Sequence, residues 1–167
     1  KRRHVAAKVP HTTPLPHVQL EHPHVLVPTA WSEDGPTVLV MDLVRGGSLL
    51  DLCVDSGRLP EAYVAIVVDQ LIQALVAVHA AGVVHRDVKP ANLLLEATGS
   101  GRPHVRLADF GDDTTIGTRG YLAPEREAGS LPHPSQDVYA AGVLTRRLLD
   151  RPGPLATLAA SMTRTEP

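Results

Sequence analysis

Residues 85–92 read His-Arg-Asp-Val-Lys-Pro-Ala-Asn, and Asp109-Phe110-Gly111 begins seventeen residues after Asn92. Ala123-Pro124-Glu125 follows. Asp87 lies on a loop just after an apolar helical stretch. A carboxylate so placed can accept and orient the proton of an attacking hydroxyl. Lys89, two residues on, supplies an ammonium that can neutralise a phosphate. Asn92 and Asp109 offer oxygens at the ends of two short apolar segments. Hard Mg2+ takes such oxygens while keeping waters and phosphates as its other ligands. Chemistry of this kind asks a protein for positioning and charge neutralisation more than for covalent help. Taken singly, each of these residues could be a turn cap, the commonest work of Asp and Asn in loops. The ordered joint pattern is what points to chemistry.

The elements that must hold these residues can be read from periodicity and punctuation. Residues 5–9 are short and apolar apart from Lys8 and read as a strand. Residues 10–23 are rich in Pro and His and read as loop. Residues 25–31 and 37–43 look like two strands, joined by the turn Ser32-Glu33-Asp34-Gly35-Pro36. Gly46-Gly47-Ser48 offers a break and a helix N-cap before residues 49–53. Pro60-Glu61 opens a long helix, whose apolar positions are Val64, Val67, Val68, Leu71, Ile72, Leu75 and Val78; Gly82 closes it. Residues 93–95 and 105–108 are short strands joined by Thr98-Gly99-Ser100-Gly101. Residues 112–135 are polar and irregular. Residues 137–149 form a helix with Val138, Ala141, Val143, Leu144 and Leu148 inward, and residues 155–162 a last short one. Strands first and helices later predict an α+β protein with segregated lobes.

Composition narrows the function classes. Sixteen Lys+Arg against eighteen Asp+Glu give a net charge of -2, which offers no electrostatic case for nucleic acid. Hydrophobic residues at 43% suffice for a core, but aromatics at 3% leave it to Ala, Val and Leu. Cys53 is the sole cysteine, so no intramolecular disulfide forms, which suits a reducing compartment. The most apolar stretch carries Asp69, Gln70, Gln73 and His79, a poor membrane span, and Lys1-Arg2-Arg3 has no apolar run behind it. No membrane segment is expected in this chain. Nine histidines, His17, His22 and His24 closest together, lack zinc-site spacing.

With these motifs in order, the sequence resembles the protein-kinase family, specifically Ser/Thr kinases of bacterial type. The likeness runs from residue 5 to 167, strongest over residues 37–149 and weakest over 10–20. It implies a two-lobed fold, with residues 1–44 a partial β-rich N-lobe and hinge and residues 45–167 a helical C-lobe. It implies ATP-dependent phosphorylation of Ser or Thr on protein substrates, with Mg2+ or Mn2+. Asp87 would be the base, Lys89 the phosphate neutraliser, and Asn92 and Asp109 the metal ligands. Lys8, in Val-Ala-Ala-Lys, resembles the lysine that holds the α- and β-phosphates. Ala6 and Leu94 would sandwich adenine, Met41 would be the gatekeeper, and Asp42 to Val44 would offer hinge backbone groups. Thr118, in a stretch resembling the substrate-docking segment, would bond to Asp87 and Lys89. Arg86 would meet a phosphorylated residue, with Thr114 and Thr115 the candidates. Asp137 resembles the buried helix aspartate that braces the catalytic loop, and His85 a packed spine residue. Lys89 favours Ser/Thr over Tyr specificity. Self-association for trans-autophosphorylation would follow, in the cytoplasm or as the cytoplasmic part of a membrane-anchored receptor kinase.

The chain also departs from the family. Seven residues precede Lys8 and none is glycine, so the phosphate loop is absent. Glu21 abuts His22-Pro23, the wrong place for a partner of Lys8, so Lys8 is assigned none. The stretch after Gly111 is clipped, and the Arg expected to pair with Glu125 would lie beyond Pro167. One explanation is a pseudokinase acting as a nucleotide- or partner-binding scaffold. The other is that the 167 residues are the ordered subset of a complete domain in an inactive conformation. Retention of Asp87, Asn92 and Asp109 favours the second. The Cα atoms of residues 10–11 and 111–112 should then lie farther apart than the ~3.8 Å of a trans peptide.

Overall fold

The computed structural model describes residues 5–9, 20–32, 38–110 and 117–164. The junctions 10–11 and 111–112, the turn at 33–37, His17, Thr114 and Thr115 lie outside the described residues.

Three strands form an antiparallel sheet in the order β1-β3-β2: β1 Val5–Lys8, β2 Ala30–Ser32 and β3 Val38–Asp42. Its register pairs Val5 with Asp42, Ala6 with Met41 and Lys8 with Leu39. The expected strand at 25–31 survives only as β2. Pro28 lacks the N–H that a ladder needs, and the residues before it leave the sheet. Leu26 N donates to Leu107 O at 2.8 Å and Leu107 N to His24 O at 2.9 Å. This carries Val25 and Leu26, 1% and 3% exposed, into the body of the helices. Burial of two apolar side chains outweighs strand continuation.

The helical part begins at α1 Leu49–Ser56, one turn longer than the sequence suggests. Ser48 caps it: Asp51 N donates to Ser48 Oγ at 3.2 Å and Ser48 N to Asp51 Oδ2 at 2.8 Å. That reciprocal pair is a capping box. The Ser48 hydroxyl, donating to Asp51 Oδ2 at 2.7 Å, and then the Ser48 N–H hold the Asp51 carboxyl below its ordinary pKa. The long helix α2 Glu61–Ala80 buries Val64, Val67, Val68, Leu71, Ala74, Leu75 and Val78 along one stripe, with Ile72 at its margin. Gly82 ends the run at φ +75°, where a Cβ would be strained. With a mean hydropathy of 1.7 over 18 residues, α2 is long and apolar enough to cross a membrane by composition. Here it is the core helix. Its polar Gln70 clamps a strand, donating to Pro103 O at 3.0 Å and accepting from Val105 N at 2.8 Å.

A 3₁₀ turn at Pro90–Asn92 leads into β4 Leu93–Leu95, which pairs antiparallel with β5 Val105–Leu107. The short α3 Pro124–Glu127 and the first turn of α4 Pro134–Leu148 occupy a stretch that reads as irregular. His133 caps α4 by accepting from Ser135 N at 3.3 Å, while Gln136 Oε1 accepts from His133 N at 3.2 Å. Histidine is not among the preferred capping residues, which is why the start is hidden in the sequence. The inward line of α4 is Ala140, Ala141, Leu144, Thr145 and Leu148; Val138 and Val143 are only half-buried. Gly142 lets α5 Pro154–Met162 approach, since a Cβ there would lie 2.8 Å from Met162 Cβ. The result is an α+β, two-lobed, partial kinase-like fold.

Candidate active site

Asp137, near the start of α4 and 1% exposed, organises the loop that carries Asp87. Its Oδ2 accepts from His85 N at 2.8 Å and its Oδ1 from Arg86 N at 2.9 Å. His79 Nε2 on α2 is 2.8 Å from Oδ2. Arg86 has φ +72°, a left-handed conformation that costs an L-residue roughly 1–2 kcal/mol. The two carboxylate bonds offset that cost and turn the chain so that Asp87 faces away from the core. His85 is fully buried, and burial pushes its pKa down, so the imidazole is neutral. One nitrogen then serves as acceptor, taking Asp87 N at 3.3 Å on Nδ1, while Nε2 donates to Ala108 O at 3.0 Å. Its ring packs on Phe110 at 4.8 Å. One buried side chain thus ties the Asp87 loop to the segment carrying Asp109.

The Asp87 carboxylate is held from three sides. Oδ1 accepts from Thr118 Oγ1 at 2.7 Å; Oδ2 meets Lys89 Nζ at 2.7 Å and Asn92 Nδ2 at 3.2 Å. Lys89 Nζ also donates to Thr118 Oγ1 at 2.9 Å, and Asn92 Nδ2 to Asp87 O at 2.9 Å. Partial burial pushes the Asp87 pKa up, but the bonds from Lys89, Thr118 and Asn92 outweigh it and hold the carboxyl below its ordinary value. Asp87 is therefore ionised at neutral pH and able to accept a proton.

Asn92 and Asp109 are brought together by the β4–β5 register. Leu93 faces Leu107 and Ala108 N donates to Asn92 O at 2.9 Å, so Asp109 follows immediately. Asp109 sits at φ +60° and its Oδ1 meets Lys8 Nζ at 2.7 Å. Lys8, left without a partner by the sequence, is thus paired with Asp109, not with Glu21. Both side chains are 44% exposed, so the pair is worth at most about 1 kcal/mol. The donors of Asn92 are spent on Asp87, and among the described residues nothing donates to its amide oxygen. One amide oxygen and one carboxylate match what Mg2+ takes from protein when phosphates and waters complete its shell. Among the described residues no group of three or more His, Cys, Asp or Glu forms a metal site by itself.

The residues expected around adenine lie on three elements. Ala6 and Met41 face each other across β1 and β3. Asp42 ends β3 and Val44 follows in the connecting loop. Leu94 bridges to Ser48, and Leu95 N donates to Gly47 O at 2.8 Å, fastening β4 to that loop. Arg106 was not singled out by sequence. It reaches Asp42 Oδ2 at 3.5 Å, Glu96 Oε1 at 3.4 Å and Val25 O at 3.2 Å, joining sheet, loop and β5. Its signal is a charged residue between the buried Val105 and Leu107. Tyr121 and Arg147 were also missed as a pair: the guanidinium lies 4.5 Å from the ring centroid.

The chain is similar to known proteins. The sequence profile of the protein kinase domain family matches residues 15–165. The serine/threonine-protein kinase PkaB of Streptomyces coelicolor is 44% identical over 148 residues, covering 78% of this chain and 35% of that protein. PknL of Mycobacterium tuberculosis, also a serine/threonine-protein kinase, is 39% identical over 123 residues, covering 66% and 30%. The chain thus spans about a third of the length of these relatives. The crystal structure of Rad53 1-466 with AMP-PNP superposes with a TM-score of 0.66 at 32% identity, over 78% of this chain and 34% of that one. With its Asp87 loop braced by Asp137 and a family profile matching nearly its whole length, the chain belongs to the protein kinase family, with bacterial serine/threonine kinases among its relatives.

Proposed function

We propose that the protein transfers the γ-phosphoryl group of ATP to Ser or Thr hydroxyls of protein substrates. The observation that carries this reading is the Asp87 carboxylate, ionised and fixed by Thr118, Lys89 and Asn92. In the reaction the substrate oxygen attacks the γ-phosphorus, the bond from that phosphorus to the β–γ bridging oxygen breaks, and ADP leaves. Asp87 takes the hydroxyl proton and orients the attacking oxygen. Lys89 and Thr118 present their donors beside it, and Lys89 neutralises charge on the γ-phosphate. Asn92 and Asp109 would hold Mg2+ or Mn2+, which supplies charge neutralisation of the phosphates. Lys8 would leave Asp109 for the α- and β-phosphates. Ala6, Met41, Asp42, Val44 and Leu94 would receive the adenine, with residues 1–44 acting as the smaller lobe and hinge.

Autophosphorylation at Thr114 or Thr115, self-association to allow it, and a cytoplasmic setting belong to the same reading. The alternative is a nucleotide- or partner-binding scaffold without phosphotransfer. It draws support from the Lys8–Asp109 pair, which engages a phosphate-binding lysine with a metal-binding carboxylate. The experiment is incorporation of labelled γ-phosphate into a generic Ser/Thr substrate by the full chain and by Asp87→Asn. Activity in the wild type alone supports the proposal. Equal activity in both rejects Asp87 as base; none in either selects the scaffold.

A further inference from the structure

A cavity opens beside the Asp87 carboxylate. Thr118, Tyr121, Leu122, Arg126 and Gln136 line it together with Arg86. Tyr121, one of the lining residues, also carries Arg147 of α4 on its ring. The guanidinium lies over the Tyr121 ring at 4.5 Å, and a Cβ at Gly120 would fall 2.8 Å from its Nη2. Gly120, at φ +84°, is thus the residue that lets Arg147 lie across this turn. Arg119 and Arg147 are both exposed. Among the described residues neither side chain makes a hydrogen bond or ion pair. Stacking on an aromatic ring fixes a guanidinium without consuming its in-plane donors, and these match a carboxylate in two-point geometry. The fixed arginine has little side-chain entropy left to lose on binding.

We propose that Arg147, stacked on Tyr121, with Arg119 two residues before that ring in the chain, selects substrate segments carrying Asp or Glu close to the phosphoacceptor. The inference rests on the reading of Asp87 as the acceptor-side base, because Thr118 bonds to Asp87 and Tyr121 lines the cavity beside that carboxylate. Nearby acids do not cancel this charge. Asp87 and Asp137 are engaged by their own donors. Glu125 and Glu127 sit on α3, and neither meets Arg119 or Arg147. The net charge of -2 gives the chain no general attraction for acidic peptides, so a preference would be local.

The test uses three fluorescent peptides with one central Ser, flanked by Glu, Ala or Lys, titrated by anisotropy against the full chain. An exposed ion pair supports about a fivefold preference for the Glu peptide over the Ala peptide, shrinking as salt rises. Arg147→Gln should abolish it, Arg147→Lys should restore part of it, and Arg147→Glu should favour the Lys peptide. Equal binding of the Glu and Ala peptides by the wild type overturns the inference. So does a preference that survives in Arg147→Gln with an unchanged melting temperature. Binding needs no phosphotransfer, so the two failures separate. Glu preference without phosphorylation refutes the kinase reading alone, and phosphorylation of the Ala peptide without Glu preference refutes only the specificity.

Discussion

Replacing Asp137 by Ala removes one carboxylate and disturbs three elements at once. The loss begins with two backbone N–H groups, His85 and Arg86, which donate to it at 2.8 and 2.9 Å. Hydrogen bonds to a charged group contribute about 1.5–3 kcal/mol each, and a buried donor left unpaired costs about 1–3 kcal/mol. The third partner, His79, loses its acceptor at 2.8 Å. Arg86, at φ +72°, loses the carboxylate bond to its N–H that offsets its strain. These effects share one group and do not add fully, so a total of about 3–5 kcal/mol is expected. For a chain of this size that is a fall in melting temperature of about 6–20 °C. Asp137→Asn keeps one acceptor oxygen but turns an NH2 toward a backbone N–H, and should recover less than half of the loss. Thermal melts followed by circular dichroism measure both variants. Phosphotransfer should fall with them, because Asp87 follows Arg86 directly. A fall of under about 2 °C for Asp137→Ala would refute the reasoning, since no bracing carboxylate can be lost so cheaply.

Two further outcomes rest on other parts of the molecule. Burial pushes His24 and His85 below the ordinary 6.5, so the unfolded chain takes up protons at higher pH than the folded one. Their contribution is intact above pH 6.5 and is lost as pH falls from there toward the folded values; Asp87, held below 3.8, adds a loss only as pH falls through its own lowered value. The melting temperature should therefore drop between pH 7.5 and 5.5, and a flat profile would contradict the neutral His85. Gly142→Ala should destabilise by about 1–3 kcal/mol in urea unfolding, opposite to the usual gain from Gly→Ala in a helix. The added Cβ would meet Met162 Cβ at 2.8 Å and Ala159 O at 2.9 Å, and a neutral or stabilising result would show that α4 and α5 separate easily.

Local chemistry by itself determined much of this protein. The helix N-cap at Ser48 and the stripe from Val64 to Val78 act within a few residues, so spacing reveals them. The ordered motifs around Asp87, Asn92 and Asp109 revealed the family for the same reason. Long-range competition was not legible. Residues 25–27 have strand-like side chains, but the space beneath Leu107 buries them better than the sheet. Pairing of Lys8 with Asp109 joins residues about a hundred positions apart, and no local pattern specifies it. Arg106 and Arg147 are ordinary charged residues in sequence, and only packing sets one against Asp42 and Glu96 and the other against Tyr121. The sequence alone determined which residues could do chemistry, because identity and spacing are covalent facts. Only the tertiary structure decided which of them meet, because burial and charge pairing act across distances that the chain closes by folding.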